Sequence, residues 1–142
     1  MKPLNTEATN MLVRFIDRLQ GATTVTLPLN GNFPIRITKG SMVKTTQGEG
    51  DLFSIGRMYD PKKPAFQPLL KLIVIDERGT KGDKAKVSAF PTFFSDDLNG
   101  IIEESCIVRS GAVQHCIPRI QAIHAQFIDR WLRKMIDAGY LA

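Results

Sequence analysis

The sequence predicts an α+β fold: a curved antiparallel sheet of about six strands, with N- and C-terminal helices packed on one face. Three observations carry that reading. Apolar residues recur three or four apart at both ends of the chain, at Ala8, Met11, Leu12 and Phe15 and again at Ile120, Ile123, Phe127, Trp131 and Met135. Between those ends the apolar period drops to two. Most connections between the two-periodic runs are shorter than the dozen residues a parallel crossover needs.

The first helix is expected from about Thr6 to Gln20, with Asn5 or Thr6 as N-cap and Gly21 as its left-handed stop. Val25, Leu27 and Leu29 then alternate with polar residues and Pro28. Proline cannot donate to a ladder, so this strand belongs at an edge. Asn30-Gly31-Asn32 turns the chain into a second strand through Phe33, Ile35 and Ile37. Lys44 to Gly50 reads as a polar loop and Leu52 to Tyr59 as a third strand. Asp60 to Pro68, with three prolines and two lysines, reads as a surface connection. Leu69 to Ile75 is apolar nearly throughout, which suits a strand buried on both faces. A charged loop, Asp76 to Lys84, leads to a fifth strand from Lys86 to Phe94. Ser95 to Gly100 is a turn, and Ile101 to Arg109 pairs with Ala112 to Ile117 around Ser110-Gly111. Pro118 opens the final helix, where its missing N–H costs little, and Gly139 closes it.

The totals bound the function classes. A chain of 142 residues, 43% hydrophobic, makes one domain, residues 1–142, with a core of its own. No apolar run approaches the ~20 residues of a bilayer span, and MKPLNTEATN lacks the apolar stretch of a secretory signal. The expectation is a cytoplasmic protein, a monomer or homodimer, with Cys106 and Cys116 reduced. The net charge of +5 favours acidic partners without deciding fold.

No motif assigns a catalytic residue, a metal or a cofactor. Cys106, His115, Cys116 and His124 are soft ligands, but His115 and Cys116 are strand neighbours and point to opposite faces. They read as two small buried thiols and two partly exposed histidines. A hairpin loop of Ser110, Gly111 and Ala112 would set Cys106 opposite Cys116. A loop of Arg109, Ser110 and Gly111 puts glycine in the left-handed third position and sets Cys106 opposite Gln114. The second register, without a disulfide, is the one expected. Asp96, Asp97, Glu103 and Glu104 form the one acidic cluster and read as turn formers and solvated strand positions. Gly79 to Lys84 lacks the spacing of a phosphate loop and leads into a strand. The Trp131 stripe reads as core, which leaves the chain end around Tyr140 and Leu141 open to another chain.

Positive charge concentrates in the middle of the chain, at Arg57, Lys62, Lys63, Arg78, Lys81, Lys84 and Lys86. On neighbouring strands and loops these could form one basic patch for phosphates, with Tyr59 or Phe66 stacking on bases. The alternative use is a solvated rim that keeps sheet edges apart.

Two runs, Gly50-Asp51-Leu52-Phe53-Ser54-Ile55-Gly56 and Phe90-Pro91-Thr92-Phe93-Phe94-Ser95-Asp96-Asp97-Leu98-Asn99-Gly100-Ile101, carry a resemblance, as does the ending Phe127-Ile128-Asp129-Arg130-Trp131-Leu132-Arg133. In these the chain resembles a family of uncharacterised small bacterial proteins, many found on conjugative plasmids and integrative elements. The same ending is similar to a second family of proteobacterial proteins of equal size. The chain departs from the first between Tyr59 and Leu69, where proline and lysine replace an acidic, asparagine-rich stretch. The resemblance implies one α+β domain and a home on mobile DNA, and assigns no catalytic residue. Three functions follow, in order. The first is a non-enzymatic accessory protein that binds another protein, by analogy one that blocks a host defence. The second is a DNA- or RNA-binding module built on the basic patch. The third is an enzyme built on Asp96, Asp97, Glu103 or Cys106.

Overall fold

The computed structural model describes residues 1–60, 62–63, 65–79 and 86–142. The chain runs α1 (Thr6–Ile16), a 3-10 turn (Asp17–Leu19), β1 (Thr24–Leu29), β2 (Asn32–Thr45), β3 (Gly48–Asp60), β4 (Ala65–Asp76), β5 (Val87–Asp96), β6 (Ile101–Glu104), β7 (Cys106–Arg109), β8 (Ala112–Cys116) and α2 (Pro118–Ala138). The class is α+β as expected, with eight strands among the described residues where about six were expected.

The extra length comes from the hairpin arms. Lys44 to Gly50 is not a loop: only Thr46 and Gln47 turn the chain, and pairing continues to Thr45 opposite Gly48. Thr45 holds this turn by accepting from Gln47 N–H and donating to the Gly48 carbonyl. β4 likewise starts at Ala65, inside the stretch expected to be a connection.

Strand order is β6-β5-β4-β3-β2-β8-β7, with β1 on β2 beside the β8 contact. β1 is an edge strand, as Pro28 required. All ladders are antiparallel except one: β8 meets β2 in parallel, at Lys44 and Ala112. This corrects the all-antiparallel expectation. The strand path begins and ends in one run of chain, residues 101–109, interrupted at Ser105. The sheet therefore curls, with no ladder joining β6 to β7 among the described residues. Buried Ser105 is the clasp: its N–H donates to Thr92 O on β5 and its carbonyl accepts from Ile117 N just past β8.

Both helices lie on one face of the sheet. Leu12, Phe15 and Ile16 of α1 and Ile128, Leu132 and Met135 of α2 share one core with Ile35, Ile37, Ile55, Leu70, Leu72 and Val74. Burying such side chains stabilises by roughly 1.5–3 kcal/mol each. Val43, Ile73, Ile75 and Phe90 are also buried but outside that core. Ile73 and Ile75 alternate with Leu72 and Val74, so β4 is apolar on both faces, as its sequence suggested. A side chain at Gly50 would meet the Val74 carbonyl at 2.6 Å and the Ile73 side chain at 2.9 Å, so only glycine lets β3 lie this close.

The helix ends follow local chemistry. Asn5 Oδ1 accepts from Ala8 N–H at 2.8 Å and caps α1. Gly139 takes a left-handed φ of 107° and closes α2. The chain end is not open to a partner, contrary to expectation. Tyr140 and Leu141 are buried; the Tyr140 hydroxyl donates to the Phe33 carbonyl, and Arg18 donates to the Leu141 carbonyl.

The Cys106–Cys116 pair is a second correction: the two are bonded. The loop is neither three-residue choice. Ser110 and Gly111 both take positive φ, 54° and 72°, and make a two-residue turn with Arg109 opposite Ala112. Continued evenly, that register would set Cys106 against His115. A bulge at Gln114 adds one residue to β8, and Cys106 then faces Cys116.

Candidate functional site

The structure divides the predicted basic patch. Lys62 and Lys63 sit at the β3–β4 turn, while Arg78 and Lys86 sit where β4 gives way to β5. β4 spans 12 residues, so the two groups lie roughly 36 Å apart at ~3.3 Å per residue. Antiparallel hairpins impose this: successive turns fall at opposite ends of the sheet. Lys81 and Lys84 lie outside the described residues.

Arg78 has an architectural role. Its guanidinium donates to Asp76 at 2.7 and 2.9 Å and to Asp17 at 3.0 and 3.2 Å, and its side chain is only 7% exposed. The fork ties the 3-10 turn to the end of β4. Hydrogen bonds from Arg78 hold the Asp76 carboxyl below its usual value, against the opposing pull of burial. The same two carboxylates push the Arg78 pKa up.

The acidic cluster is also dispersed into separate contacts. Asp97 accepts from Phe66 N–H at 2.8 Å. Asp96 accepts from Gln67 and from the backbone and side chain of Asn99. Burial pulls the Asp96 carboxyl upward, but the bonds from Asn99 and Gln67 outweigh it and leave the pKa lowered. Glu103 lies 3.2 Å from His124 Nε2. The sulfur of Cys106 is committed to Cys116. Among the described residues, no three His, Cys, Asp or Glu side chains converge on a point that could hold a metal.

His124 was expected to be partly exposed and is instead buried. Its ring stacks on Phe94, centroids 5.7 Å apart, and Nδ1 has no hydrogen-bond partner among the described residues. Gln121 is buried as well, donating to the Pro91 carbonyl and to Cys106 Sγ and accepting from Lys2 N–H. The buried line of α2 is therefore Gln121, His124, Ile128, Trp131, Leu132 and Met135. The apolar stripe of the sequence runs beside this line over the first turns. It leaves Ile123 56% exposed and Ile120 and Phe127 partly covered. Next to it lies β6, which among the described residues pairs only with β5 and is exposed throughout. Ile101 and Ile102 are both exposed, Ile102 at 73%; Glu103 reaches α2, so Ile101 shares that face and Ile102 lies on the opposite one. The His124–Glu103 contact and the edge-to-face Phe94–Phe127 pair, centroids 5.0 Å apart, bring α2 over this edge.

A second feature lies further along α2. A cleft of about 440 Å³ opens between its C-terminal half and the β3–β5 strands. Arg57, from the predicted patch, lines it with Arg130, Lys134, Asp96, Phe127 and Trp131. Arg130 and Lys134 were not among the expected site residues, because one turn apart on α2 they carry no local sign of a site beyond their spacing on either side of Trp131.

No family model, characterised protein or solved structure matches this chain. The fold defines only a class: a small two-layer α+β domain with a curled sheet. Among the described residues, no helix is long and apolar enough to cross a membrane.

Proposed function

We propose that this chain is a non-enzymatic accessory protein that acts by binding another protein through the border formed by β6 and the first turns of α2. One observation carries the reading. The fold buries polar Gln121 and His124 while leaving Ile123, Ile101 and Ile102 in water, next to an unpaired strand edge. Exposed apolar residues beside free backbone donors and acceptors suit strand addition by a partner. A mobile-element setting, and with it the blocking of a host defence, fits the resemblance in the three runs quoted above and belongs to the same reading. The nucleic-acid alternative loses support from the division of the basic residues between two ends of the sheet.

The test is paired capture. Wild-type chain and an Ile102→Lys variant are presented to lysate of the natural host. A stoichiometric protein retained by the first and lost by the second supports the reading. A partner held equally by both, or no partner, refutes it. The cytoplasmic expectation belongs here too, and the Cys106–Cys116 bond pulls against it, because such bonds persist in oxidising compartments. Thiol titration of protein taken from its host decides: two free thiols support the cytoplasmic reading, and none supports an oxidising compartment.

A further inference from the structure

The cleft beside Trp131 has an unbalanced charge. Arg57, Arg130 and Lys134 line it, and Asp96 is its one carboxylate. Three cations against one anion leave two positive charges. Asp96 does not offset them by pairing, since its oxygens are taken by Gln67 and Asn99. No carboxylate pairs with Arg57, Arg130 or Lys134 among the described residues. Arg57 Nε is buried without a hydrogen-bond partner among the described residues, although a buried donor normally has one. The aromatic lining comes from α2 itself, between and beside Arg130 and Lys134: the half-buried Phe127 and the 7% exposed edge of Trp131. The volume of about 440 Å³ falls in the range of small-molecule sites.

We propose that this cleft binds a phosphate monoester carrying a planar ring, of the size of a nucleoside monophosphate, with its phosphate on Arg57, Arg130 and Lys134 and its ring against Phe127 and Trp131. A phosphate monoester carries about −1.5 to −2 charges at neutral pH, which matches the excess of the cleft. Arginine forks suit its oxygens, and an aromatic wall suits any base. This inference stands apart from the protein-binding border, whose exposed residues lie nearer the start of α2.

The chain contains a single tryptophan, and it lines the cleft, so its fluorescence reports occupancy directly. The 142-residue chain is titrated with AMP, with adenosine and with inorganic phosphate, by calorimetry and by Trp131 fluorescence. The expected result is saturable AMP binding, tighter than that of adenosine or phosphate alone. Lys134→Gln, at an exposed position that leaves the core intact, is expected to weaken it roughly tenfold, as is Arg57→Gln. Lys44→Gln, outside the cleft, leaves it unchanged. Circular dichroism confirms that the Arg57 variant folds, and the Lys134 variant carries the test if it does not. Absence of saturable AMP binding at millimolar concentration overturns the proposal. So does adenosine or phosphate binding as tightly as AMP, or AMP binding unaffected by Lys134→Gln.

Discussion

Replacing Arg78 by methionine removes the fork that joins the 3-10 turn after α1 to the end of β4. The aliphatic stem is kept and the charge is lost. Among the described residues, four side-chain hydrogen bonds disappear, two to Asp76 and two to Asp17. Buried, bonds to charged groups contribute about 1.5–3 kcal/mol each. Here the carboxylates of Asp17 and Asp76 are 26% and 38% exposed, so water takes over much of the role of the guanidinium. The net loss expected is about 2 kcal/mol in all. For a 142-residue domain that lowers Tm by roughly 6 °C. The pH dependence adds a second check. The folded pKa of Asp76 is depressed, so its contribution is complete above its unfolded value near 3.8. It is lost as pH falls through the lower folded value. The gap between wild type and Arg78→Met should therefore be full at neutral pH and shrink in acid below 3.8. Thermal unfolding followed by circular dichroism across that range measures both. A Tm within about 2 °C of wild type at neutral pH would refute the reasoning, as would a gap that persists undiminished in acid.

Two further predictions use the same assay. Ile123→Lys should leave stability within about 0.5 kcal/mol of wild type, since the side chain lies in water, whereas Ile128→Ala should cost about 2–5 kcal/mol. Equal effects would mean that the buried line of α2 follows the sequence stripe after all. Reducing the Cys106–Cys116 bond, which spans 10 residues, should cost about 2–3 kcal/mol by freeing the unfolded chain, read as a Tm that falls with added reductant. No change in Tm would show that the hairpin does not depend on the bond.

Much of the border of each element was set by local chemistry. The Asn5 cap, the Gly139 stop, the proline-marked edge of β1 and the Ser110-Gly111 turn each follow from what one or two residues can do with their own backbone. The alternation of Ile35 and Ile37 likewise named the sheet face that the helices cover, while the unbroken apolar run of β4 announced burial on both faces. The functional features were less legible. Lys62 and Arg78 are 16 positions apart and looked like neighbours, but a whole strand separates them. Arg57 and Arg130 are far apart in sequence and meet at one cleft.

By itself, then, the sequence determined the fold class, the helical ends and the two-periodic middle, because periodicity and capping act within a few residues. Tertiary structure alone decided the Gln114 bulge that sets Cys106 against Cys116, the turn of α2 that buries His124 and exposes Ile123, and the curl of the sheet around Ser105. Each of those depends on which partner an element meets. A helix with apolar residues on more than one side rotates to fit the surface beneath it, and no local rule states that surface in advance.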